Sequence, residues 1–281
     1  MTTLQHCPLL VCGATLAGIG AALAAGGEVL IVERSSTVGH EFIEAFNPGL
    51  TTADYVLSAF GERFRSELAE RNLIGDNGIV HLPGLAPVLC RHLDLAQHIG
   101  VLFMTEIVEV KALASGYEVV LYNVSGFRTV IADRILDTTT CRLSDTANPH
   151  SSERLTLNAY LHGPANVPVS QPDDRSAIIA QGRFEEEHIL KWRVPADCDW
   201  PKARQGLHDY WRLRPQQLSA WTIAAVAGVI ESRVPPGPHP LSARWTWLPS
   251  AGFDSPLQAL DQGYRLVREK GGGECEIVEA I

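Results

Sequence analysis

The sequence lacks the cysteine pairs, basic blocks and hydrolase motifs that would assign a functional class directly. Its six cysteines are scattered, without a CxxC pair or a tight cluster, which disfavours a disulfide framework and a zinc site. It has no block of Lys and Arg, and its formal net charge at pH 7 is -9, so nucleic acid and an anionic membrane are poor candidates for partners. It has no P-loop, HExxH or nucleophile elbow, so kinase and hydrolase functions have no support.

The composition is that of a soluble globular protein. Of 281 residues, 46% are hydrophobic and 20% are charged, which gives enough length for a sizeable core. Residues 8–32 are nearly all apolar, but glycines and Glu28 interrupt them and no basic segment precedes them. A buried strand, a glycine turn and a buried helix therefore explain this stretch better than a membrane span or a signal peptide. With reduced thiols and no metal site expected, the sequence predicts a cytoplasmic protein without a membrane segment.

The N-terminal segment predicts a dinucleotide-binding turn. An apolar strand ends near Val11, an Ala- and Leu-rich helix runs to Ala25, and a second strand, EVLIV, ends before Glu33. This βαβ context makes the glycine motif credible. The predicted phosphate-binding turn consists of Gly13, Ala14, Thr15, Leu16, Ala17 and Gly18.

Each part of this motif has a physical role. Gly13 permits the tight turn, Gly18 allows the helix to pack closely, and the helix N-terminus offers free N–H groups to a pyrophosphate. Glu33 is placed to accept hydrogen bonds from ribose hydroxyls, and its charge would repel a 2′-phosphate, which argues against NADP. Thr15 stands where the middle glycine is usual, so its side chain must point away or contact phosphate itself. The alternative is a Rossmann-like βαβ unit that has lost its nucleotide.

VCGATLAG resembles the GAT-x-AG variant of the motif in FAD-dependent oxidoreductases of the glutathione-reductase-like fold, where Thr at the middle position is familiar. The segment ERSSTVGHEF resembles the one that follows the second strand in that family. The resemblance implies that FAD is the cofactor. It also implies that Arg34, Gly39 and His40 approach it.

Two later segments extend the resemblance. IADRILDTTT resembles a strand late in the FAD domain, which implies cofactor contacts at Asp137 and Thr138, although the family's glycine is missing after Thr140. PSAGFDSPLQALDQGYRLV resembles the C-terminal FAD motif. There Asp254 would contact the ribityl chain or simply be a solvated cap, and Ser255 would be the helix N-cap, a position that favours serine. The family also implies a backbone contact between Val108 and adenine.

The predicted fold is α/β, with a Rossmann-like FAD-binding domain and a small α+β substrate domain. The FAD-binding domain comprises residues 1–147 and 241–281, and the substrate domain comprises residues 148–240. In the first domain we expect helices at 51–73 and 85–99 and a three-stranded meander at 100–110, 117–122 and 129–137. In the second we expect strands at 155–162, 177–179 and 188–194 and helices at 201–212 and 215–230.

The signal for catalytic residues is confined to three positions. His40 follows the turn that should approach the flavin and is a candidate acid or base; the alternative is a surface histidine. Asn158 lies on a strand whose alternation would place it over the flavin ring or on a wet outer face. Arg193 is placed to hold a substrate carboxylate, unless its face of the strand is also solvated.

The sequence predicts an FAD-dependent oxidoreductase that oxidises or hydroxylates a small molecule such as an amine, alcohol or amino-acid derivative. The short substrate domain suggests a small substrate, or a pocket completed by a partner subunit or a second copy. One alternative is a partner-dependent or non-catalytic subunit that binds FAD or ADP. Another is a thiazole-synthase-like dinucleotide-binding enzyme, for which Cys141 is the cysteine of interest.

Overall fold

The computed structural model describes residues 5–49, 55–165, 171–172, 175–195 and 198–270, and two β-sheets dominate them. The strands are β1 (Gln5–Cys12), β2 (Val29–Val32), β3 (Ile99–Leu102), β4 (Glu106–Ala112), β5 (Tyr117–Asn123), β6 (Gly126–Asp137), β7 (Glu153–His162), β8 (Ala177–Gln181), β9 (Glu187–Arg193), β10 (Thr222–Val226), β11 (Glu231–Arg233), β12 (His239–Ser242) and β13 (Trp245–Trp247). The helices are α1 (Leu16–Ala24), α2 (Ala59–Glu70), α3 (Leu82–Leu95), α4 (Trp200–Arg212) and α5 (Pro256–Lys270).

The first sheet has a parallel core. Its main path is β12-β13-β6-β1-β2-β3, and β13, β6, β1, β2 and β3 run parallel. β4 and β5 extend it as an antiparallel meander on β6. All four residues of β2 are buried, as expected for a strand covered on both faces. The carboxyl ends of β1, β2 and β6 therefore meet at one edge, where ligands of open α/β sheets bind.

The second sheet is formed by β7, β8, β9, β10 and β11. Its order is β10-β7-β9-β8, with β11 also paired to β7. Residues 156–161 of β7 are all buried, so this strand is not half-buried as its alternation suggested. One face packs with α4, and the other meets the segment at residues 45–46, where Phe46 stacks edge-on against Tyr160.

The predicted helix at 215–230 is wrong. A short 3₁₀ turn at Gln216–Leu218 is followed by β10 and β11, both antiparallel to β7. Trp221 is fully buried in the core of the second sheet. Pairing with β7 and burial of this indole outweigh the helical preference of the Ala-rich sequence, because helix propensity is a weak prior.

Other predicted elements are confirmed with shifted boundaries. The single strand expected at 100–110 is two strands, because Met104 has a φ of 51° and the chain turns there from the parallel core into the meander. α2 starts later than predicted, after the Ser58 N-cap, and residues 51–54 of that prediction lie outside the described residues. α3 begins and ends earlier than expected, at Leu82 and Leu95. No described helix, including the one within the apolar stretch 8–32, is long and apolar enough to cross a membrane.

Helices α1 and α5 cross with their backbones in contact. A Cβ at Gly20 would lie 1.9 Å from the carbonyl oxygen of Leu260, and a Cβ at Gly263 would lie 1.9 Å from that of Ala17. Only glycine permits this approach. The contact fixes α5 on α1 and thereby places the turn that precedes α5 beside the start of α1.

We expect Gly263→Ala to lower the free energy of unfolding by about 1–3 kcal/mol, because the added methyl group forces the two helices apart. Gly26→Ala is the matched control, since a Cβ at Gly26 has no neighbour within 4 Å, and a change within about 1 kcal/mol is expected there. Urea unfolding measures both. Equal losses in the two variants would contradict the close helix crossing.

Candidate functional site

The glycine turn that the sequence predicts to bind phosphate follows β1. Gly13 has a φ of 98°, a conformation that favours glycine. A Cβ at Gly18 would lie 2.3 Å from the carbonyl oxygen of Gly13, so the first turn of α1 lies directly against the end of the strand. These two glycines therefore have the steric roles that the motif assigns to them.

Thr15 is the N-cap of α1, and its hydroxyl group is used within the protein. Its Oγ1 accepts a hydrogen bond from the N–H of Gly18 at 3.0 Å and donates to Oγ1 of Thr138 at 2.7 Å. The Thr138 hydroxyl donates in turn to the carbonyl oxygen of Cys12 at 2.9 Å. Thr15 thus joins the ends of β1 and β6 to the start of α1, in place of the middle glycine.

Glu33 lies at the carboxyl end of β2 and is almost fully buried. Its Oε2 accepts from the N–H of Ala14 at 2.7 Å, and its Oε1 accepts from the N–H of Ser35 at 2.6 Å. A carboxylate has further acceptor sites beyond these two. Glu33 therefore remains able to accept hydrogen bonds from ribose hydroxyls.

A cleft of about 540 Å³ starts at Glu33 and Arg34, passes Thr15 and reaches Glu231 on the second sheet. The segment after β6 contributes one wall, with Thr139, Thr140 and Cys141. A second cavity of about 280 Å³ shares Glu33 and Arg34 with it and extends towards residues 105–107. The cleft thus connects the edge of the parallel sheet to the second sheet.

A second buried carboxylate, Glu41, lies at the start of α1. It belongs to a single π-helical turn, His40–Glu44, which Gly39 caps with a φ of 67°. Glu41 Oε1 accepts from the N–H of Leu16 at 2.9 Å and from the Ser250 hydroxyl. Burial raises the pKa of this carboxyl group, while its hydrogen bonds with Ser250 and Leu16 act in the opposite direction.

The wall formed by the second sheet contains a polar cluster. The Lys191 ammonium lies 2.9 Å from Glu231 Oε2 and donates to Oδ1 of Asn47 at 3.0 Å. The Asn158 amide donates to the same Glu231 oxygen at 2.7 Å and to the carbonyl oxygen of Ala45 at 2.8 Å. Since both partners of the ion pair are largely buried, the cluster fixes the Glu231 carboxylate in the cleft wall.

The structure brings Thr15, Glu33, Arg34 and His40 together in the cleft lining. Gly39 supports the same region, because its N–H donates to the carbonyl oxygen of Ala14 at 2.8 Å. The backbone of Ala14, Leu16 and Ala17 faces partners from distant segments. These predicted positions therefore cluster at one place.

Asp137 faces its own loop rather than the cleft. The carboxylate is fully buried and accepts hydrogen bonds from Thr139 and Ser144. Burial raises its pKa, and these bonds oppose the shift. The next residues, Thr139 and Thr140, line the cleft instead.

Asp254 and Val108 also lie outside the cleft lining. Asp254 is exposed, and the neighbouring Ser255 caps α5 by accepting from the N–H of Gln258 at 3.2 Å. Val108 is 43% exposed on β4, whereas Thr105, Glu106 and Ile107 line the adjoining cavity. The backbone contact between Val108 and adenine stays a prediction.

The three candidate catalytic residues lie in three different places relative to the cleft. His40 lines the cleft, with its Nδ1 2.9 Å from Glu44 Oε2. Asn158 lies behind the cleft wall and supports Glu231. Arg193 is exposed on β9 and is not among the residues that line the cleft, so its contact with a substrate carboxylate stays a prediction. Lys191, two residues earlier, pairs with Glu231 behind this wall, and Arg154 on β7 is the cation of the second sheet that lines the cleft.

Sequence reasoning missed Glu41 as a partner of α1, and it missed Ser250 and Glu231 altogether. Ser250 Oγ accepts from the N–H of Ala17 at 3.1 Å across 233 positions of sequence. No local pattern connects such distant residues. The only available signal was an acid next to His40 in the turn that was expected to approach the cofactor.

We expect Thr15→Val to lower the free energy of unfolding by about 1–2 kcal/mol, because it removes the N-cap while keeping the size of the side chain. Thr15→Ser keeps the hydroxyl group and is the control, with a clearly smaller loss expected. Thermal or urea unfolding checks both. If valine is tolerated as well as serine, the hydroxyl bridge does not stabilise the turn.

Comparison with known proteins identifies the fold. No family model matches the sequence, and no curated protein matches it. Among solved structures, glycine oxidase from Geobacillus kaustophilus superposes with a TM-score of 0.62 at 14% identity, covering 97% of this chain and 96% of that one. p-Nitrophenol 4-monooxygenase PnpA from Pseudomonas putida DLL-E4 gives 0.62 at 12% identity, covering 96% and 82%.

The flavin-dependent monooxygenase PieE, solved in complex with FAD and substrate, gives a TM-score of 0.58 at 17% identity. The match covers 93% of this chain and 57% of PieE. The parallel sheet, the βαβ turn and the second sheet together form the fold shared by these monooxygenases and oxidases.

Proposed function

We propose that this protein is an FAD-dependent oxidoreductase of the glutathione-reductase-like type, which oxidises or hydroxylates a small molecule. The observation that carries the proposal is the cleft of about 540 Å³ from Glu33 to Glu231. It starts at the carboxyl ends of parallel strands, passes the N-terminus of α1 and ends at a second sheet. An elongated dinucleotide placed along it would have its adenosine near Glu33 and its flavin near Glu231.

The residues fit the ribose of an adenine dinucleotide. Glu33 is held by backbone N–H groups at the end of β2 and has acceptor capacity left for two hydroxyls. Its charge disfavours a 2′-phosphate and so supports FAD over NADP. The start of α1, where the diphosphate would lie, fits less well. There the N–H of Leu16 already donates a hydrogen bond to the Glu41 carboxylate. When bound, FAD would supply the electron chemistry, and this chain would supply orientation and polarity.

Residues 148–240, with the second sheet, are proposed as the substrate domain. The cluster of Lys191, Glu231 and Asn158 gives the cleft a fixed polar wall where a substrate would meet the flavin. A carboxylate held by an ammonium and an amide can accept a hydrogen bond from an amine or hydroxyl substrate. His40, in the same cleft, is the proposed acid or base, because an imidazole ring can both donate and accept a proton.

One observation favours a second candidate, a non-catalytic subunit that depends on a partner for activity. The start of α1 already holds the protein's own carboxylate, Glu41, where a diphosphate would be expected. A protein that is inactive alone and active with a partner would match this candidate. Cys141 in the cleft wall keeps the thiazole-synthase-like alternative testable, and Cys141→Ser with unchanged activity would exclude a sacrificial role for this cysteine.

The identity of the cofactor can be tested directly. The purified protein, alone or after incubation with FAD, is expected to show flavin absorption bands in the visible region, and heating should release FAD rather than FMN or NAD. Chromatography of the released nucleotide identifies it. A colourless protein that takes up no added FAD, even after Glu41→Gln has removed the charge at the start of α1, would overturn the proposed function.

The proposed contact between Glu33 and the ribose can be tested by substitution. We expect Glu33→Gln to weaken adenosine and ADP binding by about tenfold or more, because charge-assisted hydrogen bonds to the ribose are lost. Glu28→Gln is the control, because Glu28 is exposed just before the same strand. Titration calorimetry measures both variants, with thermal unfolding as a check on folding. If the Glu33→Gln variant binds adenosine as tightly as the wild type does, Glu33 does not bind the ribose.

A further inference from the structure

The first N–H groups of α1 already have acceptors within the protein. The N–H of Leu16 donates to Glu41 Oε1 at 2.9 Å, and the N–H of Ala17 donates to Ser250 Oγ at 3.1 Å. The N–H of Gly18 donates to the Thr15 hydroxyl at 3.0 Å. These are the groups that a helix N-terminus uses to bind a phosphate.

Glu41 is held in this position from both sides. The π-helical turn that carries it is anchored on the glycine motif by the bond from Gly39 N–H to the Ala14 carbonyl oxygen. On the other side, the Ser250 hydroxyl donates to the same Oε1 that accepts from Leu16. Only 7% of the residue is exposed.

The second carboxylate oxygen of Glu41 points to a ligand-binding role. Oε2 is buried and has no hydrogen-bond partner from any other described residue, although Glu41 lines the cleft. A buried polar atom without a partner is costly and is often found at functional sites. Glu41 therefore lines the cleft and keeps one buried acceptor atom without a partner.

A bound dinucleotide would place its diphosphate at the start of α1, where the Glu41 carboxylate already lies. Its diphosphate is an anion, and the positive end of the α1 dipole attracts one. Glu41 is an anion already bonded there, and the two would repel each other as well as compete for N–H donors. Adenosine lacks the diphosphate and has no such conflict.

We propose that Glu41 is an internal anion that occupies the diphosphate position at the start of α1 and discriminates against ligands that carry a diphosphate. In this arrangement FAD or ADP binds only after Glu41 takes up a proton or turns away, whereas an uncharged nucleoside binds without that cost. This inference rests on the proposed function, because it concerns the same cleft.

Proton uptake is the simpler route, because burial raises the pKa of the Glu41 carboxyl group. Coulombic attraction to the adjacent His40 opposes this shift. The charged or titratable groups that share the cleft lining with Glu41 are Glu33, Arg34, His40, Cys141, Arg154 and Glu231.

The decisive variant is Glu41→Gln, which keeps the size and an acceptor for Leu16 but removes the charge. We expect ADP and FAD to bind at least tenfold more tightly to Glu41→Gln than to the wild type, with adenosine affinity unchanged within twofold. Titration calorimetry measures all three ligands. The control is Glu44→Gln, which removes one negative charge from the same turn without touching α1, and its ADP affinity should equal that of the wild type.

A nucleotide-free measurement separates this inference from the proposed function. Glu41→Ala leaves the N–H of Leu16 open, so sodium sulfate should raise its Tm by several degrees more than sodium chloride at equal ionic strength. The wild type should show a clearly smaller difference. Equal sulfate effects in the two proteins would overturn the internal-anion role.

The possible outcomes distinguish a failure of the Glu41 proposal from a failure of the proposed function. ADP affinity that is the same in the wild type and in Glu41→Gln overturns the role of Glu41 and leaves the proposed function standing. If no protein binds FAD or ADP, but sulfate stabilises Glu41→Ala selectively, the internal anion is supported and the proposed function fails. Tighter ADP binding in both Glu41→Gln and Glu44→Gln would indicate a general charge effect and would also overturn the proposal.

Discussion

The first N–H groups of the buried helix α1 have no carbonyl partner within the helix. The site is arranged around these donors. Side chains of Glu41, Ser250 and Thr15 satisfy three successive groups. A fourth N–H, that of Ala14, donates to Glu33. Since burial without partners would be costly, segments from four parts of the chain must meet at this point.

The crossing of α1 and α5 makes that meeting possible. Gly20 and Gly263 allow the two backbones to touch, and α5 starts just after the 3₁₀ turn that contains Ser250. The Ser250 hydroxyl can therefore reach both Ala17 and Glu41. Packing of two helices and hydrogen bonding at one helix end are thus parts of the same arrangement, and a shift in the first would break the second.

The cleft carries three acids in three different settings. Glu33 is held by backbone N–H groups, Glu41 by a helix N-terminus and a serine, and Glu231 by Lys191 and Asn158. Each setting stabilises a carboxylate in a different way and gives it a different relation to a ligand. In the proposed function, the first would accept a ribose, the second would oppose a diphosphate, and the third would orient a polar substrate.

The sequence by itself determined the local elements of the site: the βαβ unit, the steric roles of Gly13 and Gly18, the acid at Glu33 and the cap at Ser255. These follow from residue type and short spacing, which act over one turn or one strand. Only the tertiary structure decided that residues 222–226 form a strand, that Arg193 is exposed while Lys191 pairs with Glu231, and that Glu41 and Ser250 bind the start of α1. The reason is physical, because those outcomes depend on burial and on N–H groups whose partners lie up to 233 positions away, where no sequence period connects them.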